Sequence, residues 1–441
     1  MIVRVSSIAA VAVALTLTAA GAHPQSVTDE ERAIVQAVER HNDAALKLLE
    51  RVVNINSGTM NLDGVREVGK IFRAELDALG FKTRWVDGGA FKRAGHLIGE
   101  HPASGKPKFL LIGHLDTVFE KDSPFQKFER VDQRYARGPG IIDMKGGDVI
   151  IIQALKALND VGALKTMDIT VVMTGDEEDP GDPQSAAREA LVAAVKGRDI
   201  AIGFEDGAMD PKTAITARRG TTSWQLRVKG KPAHSSQIFR QDIGSGAIFE
   251  AARILTLFRE KLAGEEFLTF NPGLVVGGTR TEFDAPQARG TAFGKTNVIA
   301  EHAIVSGDLR TISMEQLAHT KKAMAAIVAQ SLPHTQATLA FDEGYPPLSP
   351  TEGNAKLLAM YDRASQDLGF GSVVAVSPMR AGAADVSFVA AEVKMILDGI
   401  GLMGSDDHTV KETADLATLP SQTKRAAMLL HRLRTAHGTG K

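Results

Sequence analysis

Short, largely apolar runs recur along this chain, and each stops on or near acidic or histidine residues. They are Phe109-Leu-Leu-Ile-Gly113, Ile169-Thr-Val-Val-Met173, Ile200-Ala-Ile-Gly-Phe204 and, far downstream, Val393-Lys-Met-Ile-Leu397. Runs of that length read as buried strands. Between and around them lie stretches with apolar residues at helical spacing. The first spans Asp29 to Val53, through Ile34, Val38, Leu46 and Leu49; others fall around 147–158, 185–195, 354–368 and 422–433. The alternation predicts an α/β fold, a mixed sheet with helices on both faces.

The middle of the chain follows a different pattern. Ser223-Trp-Gln-Leu-Arg-Val-Lys229 alternates polar and apolar residues, as a half-solvated strand does. A helix around 246–261, strands near 274–276 and 302–309, a helix over 314–330 and a strand near 336–341 follow. Strand-helix-strand-strand-helix-strand predicts an α+β ferredoxin-like insert. The expected organisation is a catalytic domain over 23–217 and 346–441, interrupted at 218–345 by a lid or dimerisation domain. A length of 441 residues agrees with more than one core.

Residues 1–22 stand apart. Arg4 precedes an apolar stretch from Ile8 that ends in Ala20-Gly21-Ala22, the pattern of a cleavable secretory signal. The stretch is shorter than the ~20 residues of a spanning helix. The expectation is a periplasmic or secreted protein, free of the membrane after cleavage. With 51 basic and 53 acidic residues, the chain has no overall field for nucleic acid. The absence of cysteine rules out disulfides and thiol nucleophiles, so a metal would be held by His, Asp and Glu.

Ligand sites in open α/β sheets gather at the carboxyl ends of strands, where this chain keeps its acids and histidines. In Gly113-His114-Leu115-Asp116, His114 and Asp116 share a face of extended chain. That spacing suits a metal-bound imidazole whose other ring nitrogen is oriented by a carboxylate, and equally a polar loop. Asp143, in Gly138-Pro-Gly-Ile-Ile-Asp143-Met-Lys145-Gly146-Gly147, stands at a helix threshold, as an N-cap or as a carboxylate bridging two cations. Asp176-Glu177-Glu178-Asp179 is either a solvated acidic loop or a pair in which one glutamate ligates and the other handles a proton. Glu205-Asp206 and Gly404-Ser-Asp-Asp-His408 are weak signals alone.

Taken in order, these motifs resemble the dizinc exopeptidase and deacylase family. That family includes glutamate carboxypeptidase, acetylornithine deacetylase, succinyl-diaminopimelate desuccinylase and aminoacylase. The resemblance spans about 30–435 and is strongest toward the glutamate carboxypeptidase branch. It implies two Zn²⁺ per chain, with Co²⁺ or Mn²⁺ as substitutes, bridged by Asp143. His114 and Glu205 would complete one site, and Glu178 and His408 the other. Glu177 would act as general base and later acid, with Asp116 orienting His114 and a cis peptide joining Asp143 to Met144. In the lid, Gly230-Lys-Pro-Ala-His234 matches the segment whose histidine polarises the scissile carbonyl across a homodimer interface. Asn297 and Arg310 match substrate-binding positions, and Gly382 falls in the segment that approaches substrate with its backbone. The implied substrate is a small peptide with a free carboxylate, or an N-acyl amino acid. A non-catalytic secreted binding protein is the alternative from another class. The acidic, proline-rich 179–183 departs from the family pattern.

Overall fold

The computed structural model describes residues 27–285 and 287–438. The expected signal at 1–22 lies outside them. The first half carries strands β1 (Lys82–Asp87), β2 (Gly95–His101), β3 (Phe109–His114), β4 (Ile169–Thr174) and β5 (Ile200–Gly203). The insert supplies β6 (Gly220–Lys229), β7 (Thr269–Gly278), β8 (His302–Thr311) and β9 (Gln336–Glu343), and β10 (Met395–Leu397) follows. The helices are α1 (Asp29–Val53), α2 (Leu62–Ala78), α3 (Gly146–Asp160), α4 (Gln184–Ala194), α5 (Gly246–Leu262), α6 (Met314–Val328), α7 (Glu352–Asp367) and α8 (Thr418–Gly438).

One six-stranded sheet has the order β1-β2-β4-β3-β5-β10. Strands β4, β3, β5 and β10 run parallel, with β10 at one edge, while β2 pairs antiparallel with β4, and β1 antiparallel with β2 at the other edge. The sheet is therefore mixed. Because side chains alternate along a strand, Phe109 and Leu111 pack into the core shared with α1, α2, α3 and α8. Leu110 and Ile112 pack on the opposite face, with Leu191 of α4 and the turn at 385–389. Both faces are covered, which is why these strands read as continuous apolar runs. Fully burying one such leucine contributes roughly 1.5–3 kcal/mol.

The insert forms a second sheet, wholly antiparallel, in the order β7-β8-β6-β9. Counted along the insert, that is second, third, first, fourth, the ferredoxin-like arrangement. Trp224, Leu226 and Val228 alternate inward onto Ile254 and Phe258 of α5 and Met324 of α6. Helix α2, strands β1 and β2 and a hairpin of the insert were not singled out in the sequence. Strands β1 and β2 form the antiparallel edge, and the hairpin pairs 280–284 with 289–293. Strand β1 and the hairpin are exposed or half-buried and lack a clean apolar period. Among the described residues, no helix is long and apolar enough to cross a membrane.

Candidate metal centre

The parallel register of β3, β4 and β5 brings residues 114–116, 175–178 and 204–206 to one edge of the sheet. His114 is the last residue of β3 and is buried. Its Nδ1 lies 3.4 Å from Asp116 Oδ1 and 3.1 Å from the Asp116 carbonyl oxygen. That leaves Nε2 to face outward, 3.1 Å from Asp143 Oδ1 and 3.5 Å from Glu205 Oε1. Asp116 also accepts the backbone N–H groups of Glu177 and Glu178 at 3.0 and 3.1 Å, and the Thr59 hydroxyl at 2.6 Å. One buried carboxylate thus holds both the imidazole and the acidic loop.

Asp143 is not a helix cap. Helix α3 begins after it without a side-chain cap, and the Asp143 carboxylate points away toward two imidazoles. Its loop is shaped by Gly140, at φ +68°, where a Cβ would come within 2.3 Å of Thr117 Cγ2. The Asp143–Met144 peptide is cis. Across the cavity, His408 Nε2 lies 2.7 Å from Asp143 Oδ2 and 3.2 Å from Glu178 Oε2. His408 has φ +57°, a left-handed conformation that costs about 1–3 kcal/mol and is sustained only where surroundings impose it. Each oxygen of Asp143 therefore meets one histidine, and each histidine meets one further glutamate.

The acidic run after β4 divides its labour. Asp176 turns inward to Arg188 at 2.6 Å, and Asp179 pairs with Arg93 at 2.9 Å. Glu177 and Glu178 face the cavity. The loop at 179–183 does not line it: Asp182 N–H donates to the Phe91 carbonyl, and Gly181 N–H to Asp176.

Burial and the neighbouring Asp143 push Glu178 up to about 7, although His408 opposes this. Hydrogen bonds to Asp143 and Glu178 push His408 up to about 11. Burial alone would lower His114, but Glu205, Asp116 and Asp143 outweigh it and hold the imidazole well above its ordinary value. Burial raises Glu177 well above the carboxylate range, with Asp385, Glu178 and Asp143 adding to the push and His114 opposing it. Carboxylates crowded this closely disfavour one another's charge, a repulsion that a cation held among them would relieve. The buried Glu178 Oε1 has no hydrogen-bond partner among the described residues. Ligand atoms of His114, Asp143 and Glu178 lie within 4.8 Å of one another. Two imidazoles and three carboxylates, without thiolate, form a donor set that fits borderline divalent ions such as zinc.

The cavity has a volume of about 370 Å³ and includes Gly382, beside which a Cβ would meet open space. The structure brings together His114, Asp116, Asp143, Glu177, Glu178, Glu205 and His408, with Gly382 at the rim. It does not bring His234, Asn297 or Arg310 to the same cavity within one chain. His234 is exposed on the insert, its Nδ1 2.8 Å from Ser236 Oγ. Asn297 is beside it, its carbonyl accepting the Ser235 N–H at 2.9 Å. Arg310 pairs with Asp308 at 2.8 Å.

Four further residues matter: Glu412 and Arg380 were not singled out in the sequence, and Asp206 and Asp407 appeared there only as neighbours of Glu205 and His408. Glu412 is fully buried, and its carboxylate accepts the N–H groups of Gly140, Ile142 and Asp143 at 2.9, 2.8 and 3.2 Å. It holds the loop that carries Asp143, and its place four residues after His408 was the available signal. Asp206 and Asp407 line the cavity beside the proposed ligands Glu205 and His408, and Arg380 is an exposed cation at its rim.

Comparison with known proteins agrees with this geometry. Carboxypeptidase G2 of Pseudomonas sp. (strain RS-16) is 26% identical over 417 residues, covering 93% of each chain. Succinyl-diaminopimelate desuccinylase of Magnetococcus marinus is 24% identical over 379 residues, covering 82% of this chain and 92% of that one. The crystal structure of aminopeptidase PepT from Bacillus cereus shares the fold with a TM-score of 0.69 at 18% identity, covering 89% of this chain and 98% of the other. Residues 110–432 match Peptidase family M20/M25/M40. The chain therefore belongs to that family, as a metal-dependent hydrolase of peptide or acyl-amino-acid bonds.

Proposed function

We propose that this chain is an exported two-zinc exopeptidase that cleaves the amide bond next to a C-terminal carboxylate, in the manner of a glutamate carboxypeptidase. The observation that carries the reading is the Asp143 carboxylate, whose two oxygens lie 3.1 Å from His114 Nε2 and 2.7 Å from His408 Nε2. Glu205 stands beside the first imidazole at 3.5 Å and Glu178 beside the second at 3.2 Å. One ion would be held by His114, Asp143 and Glu205, the other by His408, Asp143 and Glu178. Zinc held there would supply Lewis acidity, which acidifies water and polarises a carbonyl. Glu177 takes the proton of the attacking water and delivers it to the leaving amine. Asp116 keeps His114 in the tautomer that presents Nε2. Arg310 pairs with the substrate carboxylate through its planar fork, with Asn297 beside it and the Gly382 backbone along the substrate. The charged and apolar start at residues 4–22 supports export.

The first test is metal content against turnover. Purified protein is expected to hold two zinc ions per chain. Chelation should abolish hydrolysis of peptides ending in glutamate, and zinc, cobalt or manganese should restore it. A single ion at full activity would refute the bridged pair. The second reading, an N-acyl-amino-acid deacylase, draws support from the desuccinylase relative. A panel of C-terminal-Glu peptides, folates and acyl amino acids separates the two by kcat/KM.

His234 and Asn297 reach substrate, on this reading, from a second copy of the chain. The insert carries an apolar cluster near them: Phe239, Ile248 and Phe249 are 68%, 49% and 51% exposed, and the two phenyl rings stack edge-on at 5.6 Å. Exposed aromatic clusters of this kind mark interaction surfaces. The protein is expected to be a dimer by light scattering. Phe239→Asp with Phe249→Asp should make it monomeric, with kcat lowered at least 100-fold and both metals kept. A monomer with normal turnover would remove His234 from the reaction.

A further inference from the structure

We propose that Tyr345 is a positioning residue for Glu177, and that it makes the placement of the base follow the hinge between the two sheets. The inference rests on the reading of Glu177 as the base. The chain crosses between the catalytic part and the insert twice, and the crossings are paired by backbone hydrogen bonds between Arg218 and Leu348 at 2.9 and 3.0 Å. Tyr345 lies on the returning crossing. Its carbonyl accepts the N–H of Thr221, on β6 of the insert, at 2.9 Å. Its side chain reaches the other way: the phenol donates to the backbone carbonyl of Glu177 at 2.7 Å and accepts from Arg188 Nη2 at 2.7 Å.

The far side of this contact is rigid. Arg188 is 2% exposed and is held by Asp176 Oδ1 at 2.6 Å, the Asp176 carbonyl at 3.0 Å and Asp385 at 2.7 Å. Asp385 in turn accepts the Thr174 hydroxyl at 2.6 Å. The Glu177 peptide is therefore gripped at both ends, its N–H by Asp116 and its carbonyl by Tyr345. Only the second grip belongs to the hinge. A cleft of about 740 Å³ opens beside it between α4 and α6, lined by Arg188, Tyr345, Phe388, Met314 and Leu317. It leaves room for the insert to swing. Rotation about the paired crossings moves the Tyr345 hydroxyl relative to the acidic loop, so the base is placed for proton transfer in only one lid position. Closure then completes the catalytic arrangement as well as covering it.

Tyr345→Phe keeps the ring, which packs edge-on against Phe388 at 4.9 Å, and removes only the hydroxyl. It is expected to lower kcat about 10- to 100-fold, as a small misplacement of a catalytic group does. KM and the affinity for product should change less than twofold, with two metals retained. In a Glu177→Asp background, where the carboxylate is already displaced, Tyr345→Phe should cost little more. Unchanged kcat in Tyr345→Phe, alongside a dead Glu177→Gln, would sink this inference alone. An active Glu177→Gln would sink the base assignment as well. A second measurement needs no substitution at 345. The chain has three tyrosines, and fluorotyrosine incorporation gives three ¹⁹F signals, assigned through Tyr135→Phe and Tyr361→Phe. Addition of glutamate as product should move the Tyr345 signal and leave those of Tyr135 and Tyr361 in place. A stationary Tyr345 signal at saturating product would refute the coupling to the hinge.

Discussion

Glu177→Gln is expected to lower kcat by about 10²–10⁴-fold, the usual contribution of a positioned acid or base, while two metal ions and the substrate affinity remain. The substitution preserves shape and the backbone grip by Asp116 and Tyr345, and removes only the capacity to carry a proton. The position suits that task. Burial, and then the charges of Asp385, Glu178 and Asp143, raise the carboxyl well above its ordinary range. Cations bound beside it would act in the opposite direction, and a base is most effective when its pKa lies near the working pH. A base must be ionised, so wild-type kcat/KM should fall as pH drops through the pKa of Glu177, at saturating metal. The residual activity of the glutamine variant should lack that acidic limb. Retention of turnover within threefold would remove Glu177 from proton transfer. Loss of metal together with turnover would instead place it among the ligands.

The parts of this site that were legible in the sequence are those written in local spacing. His114 and Asp116 share a strand face at i and i+2, and Glu177 and Glu178 sit together where β4 ends. The apolar runs β3, β4 and β5 announced themselves because both faces of the sheet are covered. What stayed hidden depends on partners far along the chain. Apart from its place four residues after His408, nothing local marks Glu412 as the clamp on Gly140, Ile142 and Asp143, since it acts on backbone N–H groups 269–272 residues away. Tyr345 reads as a turn residue before two prolines until the fold sets its hydroxyl on Glu177, 168 residues upstream. Edge strand β1 was missed for a related reason: half-solvated, it pairs through its backbone and leaves little apolar period. The capping reading of Asp143 failed because the chain before α3 turns its side chain into the cavity.

Asp143→Asn is expected to cost the most. Among the described residues the aspartate is the one carboxylate shared by both histidines, so its loss should empty both metal sites rather than one, and kcat should fall below detection. His408→Ala, by contrast, removes a ligand from one side and should leave one ion bound. The asparagine keeps the volume and one acceptor oxygen but presents an amide nitrogen, a donor, where the second oxygen faced an imidazole 2.7 or 3.1 Å away. It also lacks the charge that sets the electrostatics of the whole cavity. Asp143 contributes to the upward push on Glu178, Glu205, Asp206 and Glu412, and a dication bound here is attracted by that same charge. Stability offers a readout independent of turnover. A ligand that binds only the folded state adds about 2.7 kcal/mol at a hundredfold excess over its Kd, so wild-type protein should melt at a higher temperature with zinc than after chelation. Asp143→Asn should melt at nearly the same temperature in both conditions. Metal analysis and the paired melts together decide the matter: a variant that keeps two ions and the zinc-dependent rise in Tm would mean that Asp143 is not the bridge.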